Sequence, residues 1–224
     1  MLCWHLLLTF PGLPVKEKPC IDLENNCANW AAAGECTRNA GFMRLHACRK
    51  SCGSCNEDAA DLAAAQAHIP LAEDIFMTTP RFEGGSCQRD MPTSLRWGAD
   101  ASMGRQIGCF NRRGAEPAGS WERTTLPAAA AAASGPINFY DSTTGKLLFV
   151  APINRTMEAF LQESRRHGWP SFRDEEVVAE NLRIIRGTGG ELVSVDGVHL
   201  GHNLPDSRSR YCINLVSIAG EAPG

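Results

Sequence analysis

Six cysteines lie between positions 20 and 55 of this 224-residue chain, spaced C-x6-C-x8-C-x11-C-x3-C-x2-C. A segment this short buries too little apolar surface to hold a fold by packing, so it must be stapled. Three disulfides would each contribute roughly 2–4 kcal/mol. The C-x2-C and C-x3-C spacings also suit metal thiolates. No second matching pair follows, however, and His46 alone does not complete a zinc set, so disulfides are the expectation. Spacing by itself leaves their connectivity open.

The other four cysteines, Cys3, Cys87, Cys109 and Cys212, are scattered. Cysteine crowding of this kind predicts an oxidising compartment, in the secretory pathway (ER lumen or extracellular). The N-terminal MLCWHLLLTFPGLP has the length of a signal-peptide core, but no Lys or Arg precedes it and no A-x-A site follows. Residues 1–19 therefore read as a truncated secretion signal or, equally, as an unfolded or core-docking start or a start assigned at the wrong Met. Asn154-Arg155-Thr156 is a candidate glycosylation triplet, usable only in that pathway. The net charge of -3 comes from interspersed acids and bases, with no basic run to follow a phosphate backbone, which argues against a nucleic-acid partner. No stretch approaches the ~18 apolar residues of a membrane span.

With 43% apolar residues the chain can bury a medium domain beside the stapled module. Residues 56–77 are acidic and Ala-rich and read as a linker or a short surface helix interrupted before Pro70. Residues 78–126 are expected to be short strands and loops, with Gly104–Gly108 an ordered β segment, and Ala128–Ala133 a loose spacer. From residue 137 the pattern sharpens. Asn138–Asp141 and Lys146–Ala151 form one predicted hairpin, and Leu182–Arg186 and Glu191–Val195 another. Thr156 caps a helix whose Met157, Phe160 and Leu161 share a face and which Gly168 ends. Tyr211–Ile218 is read as the last strand. The fold class is mainly β, antiparallel, with one helix, since βαβ alternation is missing; residues 78–222 make up that domain.

Within the cysteine cluster, Cys20-Ile21-Asp22, Trp30, Gly34-Glu35-Cys36 and Cys48-Arg49-Lys50-Ser51-Cys52-Gly53-Ser54-Cys55 resemble the ShKT domain, named for a sea-anemone potassium-channel toxin. The resemblance implies a small helical module over residues 20–55 with pairs Cys20–Cys55, Cys27–Cys48 and Cys36–Cys52. Toxin members plug a pore with a Lys-Tyr pair. Here Phe42 and Met43 stand at those places, so the implied role is an interaction or targeting module whose ligand the sequence does not name.

Three later segments, Gly168-Trp169-Pro170-Ser171-Phe172, His199-Leu200-Gly201-His202 and Arg210-Tyr211-Cys212-Ile213-Asn214, together with Phe139-Tyr140-Asp141 and Gly145-Lys146-Leu147-Leu148-Phe149, resemble the methionine sulfoxide reductase B (MsrB, or SelR) family over residues 137–220. That resemblance implies a β-tent fold and reduction of methionine-(R)-sulfoxide in peptides or proteins. A sulfoxide sulfur becomes electrophilic when its oxygen is protonated as a thiolate attacks, so the chemistry needs a nucleophilic cysteine and an acid near neutral pKa. The implied roles are Cys212 as nucleophile and His199 and His202, in an extended loop, as donors to the sulfoxide oxygen. Asn214 would orient an imidazole and with Arg210 tune the thiol, while Trp169 and Phe172 would bind substrate. The product on Cys212 is a sulfenic acid. Cys109 or Cys87 would resolve it, unless the two pair with each other, and an external dithiol such as thioredoxin would reset the enzyme.

Many members of that family bind zinc through two C-x2-C pairs. Here the corresponding places read Asp141-Ser142-Thr143-Thr144 and Val193-Ser194-Val195-Asp196, so no metal or other cofactor is expected and the hairpins should be held by packing alone. The alternative, from another class, is a secreted binding protein in which an inactive reductase-like scaffold carries the ShKT module.

Overall fold

The computed structural model of the chain describes residues 20–38, 43–44, 48–55, 69–186, 188–205 and 209–223. The N-terminal segment 1–19, Phe42, His46 and most of the expected linker lie outside the described residues.

The stapled module carries helices α1 (Cys27–Ala32) and α2 (Glu35–Arg38). Its disulfides are Cys20–Cys55, Cys27–Cys48 and Cys36–Cys52, the implied pairing. Cys27, Met43 and Cys48 form its small buried cluster, with Trp30 packed against it. Met43 is thus a core residue of the module. Asp22 ties the start of the module to its last turn by accepting from Ser51 N (3.0 Å) and Ser51 Oγ (2.7 Å).

The larger part is built on a six-stranded sheet in the order β1-β5-β6-β7-β8-β4, from β1 (Leu71–Ala72), β4 (Ser171–Phe172), β5 (Leu182–Ile185), β6 (Glu191–Ser194), β7 (His199–Pro205) and β8 (Ser209–Ile213). All its neighbours are antiparallel except β1, which runs parallel to β5. A hairpin of β2 (Ile137–Tyr140) and β3 (Leu147–Ala151) forms a second sheet. Successive side chains of a strand point to opposite faces. One face of the large sheet presents Ile184, Leu192, Ile213, Tyr211 and Phe172 to the main core, with Phe139, Phe149 and Phe160. The Phe172 ring stacks on Phe149 at 4.3 Å between centroids and meets Phe139 edge-on at 5.1 Å. Each fully buried Phe is worth roughly 1.5–3 kcal/mol.

The longest helix, α6 (Met157–His167), forms as its sequence predicts. Thr156 accepts from Ala159 N (3.1 Å), Phe160 and Leu161 face the core, and Gly168 ends the helix with φ 88°.

Several expectations are corrected. Residues 78–126 hold short helices rather than strands: Gly104–Gly108 lies in α4 (Ala101–Arg105) and the π-turn Gln106–Phe110 that continues it. Gly permits close packing here, since a Cβ on Gly104 would press on Val216. The alanine run is not a spacer. It belongs to α5 (Leu126–Ala132), which starts with Pro at its first turn and buries Leu126 and Ala130. The expected linker gives its end to the domain, as β1 and α3 (Ile75–Thr78), whose Met77 packs on Ile185 and Val193. The final segment is β8 only as far as Ile213; Asn214 breaks it and α7 (Leu215–Ile218) follows, fully buried.

The hairpin ends are held by more than packing. Asp141, fully buried, accepts from Thr143 N (2.8 Å), Thr143 Oγ1 (2.7 Å) and Thr144 N (3.0 Å). Thr144 Oγ1 and Lys146 Nζ reach across to Asp196, at 2.7 and 3.0 Å. Burial drives the Asp141 carboxyl above its usual range, against hydrogen bonds from Ser194 and Thr143. Carboxylates and hydroxyls therefore join the two turns where the resemblance would place thiolates.

Candidate functional site

Residues directly opposite one another in an antiparallel pair project to the same face, with Cβ atoms roughly 4.5–5.5 Å apart. The register pairs Ser171 with Cys212, Cys212 with His202, and His202 with Glu191. Four adjacent strands thus align Ser171, Cys212, His202 and Glu191 in one row, on the face turned away from the Phe172–Tyr211 core. Arg210, two residues from Cys212, shares that face and is buried. Cys212 keeps its thiol outside any disulfide and is partly exposed.

His199 and His202 sit in strand β7, not a loop. Three residues apart on a regular strand they would face opposite ways. The ladder between β6 and β7 shifts register at Leu192/Val193, inserting one residue on β7. This bulge returns His199 to the face of His202, and the ring centroids stand 6.0 Å apart. Gly201 makes the close approach possible: it has φ 150°, and a Cβ there would collide with the Cys212 carbonyl oxygen.

Two acids that sequence reasoning missed organise the site. Glu191 is 3% exposed. It meets His199 Nδ1 at 3.0 Å and takes Arg112 Nε at 2.9 and 3.1 Å on its two oxygens, while Arg112 Nη2 also bonds it. Burial pushes its carboxyl up, but the bonds from His199 and Arg112 outweigh that and hold it below the usual carboxylate range. Glu116 is 4% exposed and joins three pieces: its N–H donates to Asn214 Oδ1 (3.0 Å), its carbonyl accepts from Trp169 Nε1 (3.0 Å), and its carboxylate accepts from Ser120 Oγ (3.1 Å) and Val216 N (3.3 Å). Burial raises its carboxyl despite those last two bonds. Glu191 could have been noticed as the one charge in a fully buried strand that otherwise reads Leu-Val-Ser. Glu116 sits in a Gly/Pro-rich stretch with no periodicity, and nothing local marks it.

The other expected residues divide. Trp169 is partly exposed, fixed by Glu116, and adjoins the β4–β8 pair, where Ile213 N donates to Pro170 O (3.0 Å). Asn214 does not orient an imidazole: its side chain bonds Glu116 N and the Leu200 carbonyl (3.1 Å), steadying the backbone between the two histidines. Phe172 is not a substrate contact. Strand alternation sends it opposite to Ser171, into the aromatic core at 0% exposure. Cys87 and Cys109 are bonded to each other, so neither has a thiol with which to resolve Cys212. Asn154 is exposed, with φ 54°.

Beside the row, and not over it, opens a cleft of about 400 Å3 lined by Arg155, Glu163, Arg166, His167, Arg173 and Glu175 among others. Arg173 Nη1 donates to Ser209 O (3.1 Å), bringing the cleft to the start of β8. Partial burial, and then the charge of Arg210, lower His167 to about 4.

Residues 19–55 match the family model described as ShK domain-like. The three disulfides of that ShK domain-like module fall within the match, and a module of this kind is typical of secreted or extracellular proteins. No curated protein matches the chain. Among the described residues no group of His, Cys, Asp and Glu is arranged to hold a metal ion, and no helix is long and apolar enough to cross a membrane.

Proposed function

We propose that the sheet domain reduces methionine-(R)-sulfoxide in peptides or proteins, as a zinc-free relative of methionine sulfoxide reductase B joined to a secreted ShK-like interaction module. The observation that carries the proposal is the row in which the Cys212 thiol lies between Ser171 and His202, next to Arg210, on a sheet face where Cys212 and His202 are partly exposed and which also holds the buried His199 and Glu191. Arg210 places a positive charge beside the sulfur, the setting in which a cysteine serves as a nucleophile. The Trp169 indole, fixed through Nε1, offers a flat apolar wall to the substrate methyl group.

In the reaction Cys212 attacks the sulfoxide sulfur as an imidazole proton passes to the sulfoxide oxygen. The oxygen moves to Cys212: the substrate gains two electrons and leaves as methionine, and the cysteine loses two and becomes a sulfenic acid. Among the described residues Cys87 and Cys109 are already bonded, so in this reading an external thiol attacks the sulfenic sulfur and expels water. A second thiol equivalent then releases Cys212 and leaves as disulfide.

The test is turnover of an (R)-sulfoxide and an (S)-sulfoxide peptide, offered separately with dithiothreitol, by the native chain and by Cys212→Ser. The native chain should consume the (R) epimer alone, and Cys212→Ser should consume neither while keeping its far-UV circular dichroism. Turnover by Cys212→Ser ends the assignment. Inertness of the native chain toward both epimers would leave the sheet as a scaffold for the ShK-like module.

A further inference from the structure

We propose that Glu191 is a positioning residue that holds His199 as the imidazolium donor of the site, with Arg112 from the loop after Gln106–Phe110 setting how strongly it does so. The proposal rests on the sulfoxide-reductase reading of the Cys212 row. The observations behind it are geometric. Glu191 lies opposite His202 in the ladder and meets His199 at Nδ1, so one buried carboxylate touches the ring of one histidine and adjoins the other.

An ionised carboxylate only accepts, so Nδ1 of His199 must be the protonated nitrogen, which leaves Nε2 to take up and release the catalytic proton. Protonation of Nε2 then places a cation against a carboxylate in a site with little water, where that attraction is strongest. Other charges bear on the ring. Arg112 lies behind Glu191 and is itself paired with Asp74 (Nη1–Oδ1 2.7 Å). His202 neighbours the ring on β7, Cys212 and Arg210 lie on β8, and Glu116 lies in the loop that also carries Arg112. The cations Arg112 and Arg210, and His202 when protonated, oppose an imidazolium on His199; Glu191 favours it. Arg112 therefore weakens the carboxylate's pull while fixing its direction.

Opposite signs follow for the two partners, and a scaffolding role does not predict them. Imidazole titrations by NMR on the full chain should show the His199 midpoint falling by about one pH unit in Glu191→Gln, a tenfold loss of imidazolium above it. The midpoint should rise in Arg112→Met and stay near the native value in Glu191→Asp. The alkaline limb of kcat/KM on an (R)-sulfoxide peptide should move the same way in each. If Glu191 and Arg112 only hold the strands, both substitutions move His199 in one direction, toward an exposed imidazole, and the proposal falls. Should Glu191→Gln not fold, Arg112→Met decides alone: an unchanged or lower midpoint overturns the proposal. Lack of turnover by the native chain would remove the reductase reading, while the titrations would still report whether Glu191 governs His199.

Discussion

Removal of the Cys87–Cys109 bond separates a structural staple from a redox partner. Its cysteines are 22 residues apart, and both are buried. Closing a loop of that length removes chain entropy from the unfolded state worth about 3 kcal/mol. The bond also fixes a local frame: Ser86 N donates to Cys109 O (2.8 Å), Ser86 Oγ to Gly197 O (2.7 Å), and Gln88 N to Asp196 O (3.0 Å). Those contacts hold the turn that leads into His199. Double substitution Cys87→Ala/Cys109→Ala should therefore lower unfolding free energy in urea by about 3 kcal/mol, read by tryptophan fluorescence, where Trp121 at 1% exposure reports on the sheet domain. The corresponding fall in Tm is roughly 6–12 °C. Reduction of the (R)-sulfoxide with dithiothreitol should persist in the folded fraction, because recycling uses an external thiol. An unchanged urea midpoint would refute the staple. Loss of turnover with folding intact would mean that these sulfurs exchange with Cys212.

If the proposed reduction holds, substitution at the two aromatic positions should give opposite profiles: Phe172→Ala costs about 3–5 kcal/mol in a denaturation curve and leaves KM of the folded chain alone, whereas Trp169→Ala raises KM several-fold with little loss of stability. Proton linkage gives a further test at His167, whose folded pKa of about 4 lies below its ordinary 6.5. The folded state binds fewer protons there than the unfolded chain, so stability falls as pH drops from about 6.5 to 4 and is unaffected above that window. The ring is half-exposed, so screening limits the effect to about 1 kcal/mol, and His167→Gln should remove that slope from the pH dependence of the urea midpoint.

Elements whose ends are chemically marked were legible in the sequence. Thr156 and Gly168 delimit α6, turn residues separate β2 from β3 and β5 from β6, and the cysteine spacing defined the stapled module. Elements stabilised by tertiary contact were not. Two-residue strands such as β1 and β4 exist because a neighbour's backbone pairs with them, and the stretch Ala101–Phe110 winds helically where Gly104 lets it press on Val216 and Gly108 on Val198. At the site, Cys212, His199 and His202 came from the resemblance of three motifs, and the bulge that brings His199 to the face of the other two is reported by no periodicity. Phe172 was misread because its neighbours in Gly-Trp-Pro-Ser-Phe do belong to the site, and only strand alternation separates Ser171 from the core-facing ring.

The residues that hold the candidate site together come from more of the chain than its motifs suggest. The row Ser171–Cys212–His202–Glu191 lies within residues 137–220, but the groups that fix it do not. Arg112 and Asp74 orient Glu191, and Glu116 fixes both Trp169 and Asn214. The Cys87–Cys109 bond anchors the turn before His199. Each partner acts on a backbone or ring that the sheet alone would leave with one bond fewer. A truncation beginning at residue 137 would keep every motif of the row and lose the buried counter-charge of Glu191 and the bonds that Glu116 makes with Trp169, Asn214 and Val216. It would leave a carboxylate in the interior that costs more than its remaining bond to His199 returns. Residues 69–126 are therefore part of the site and not a preface to it.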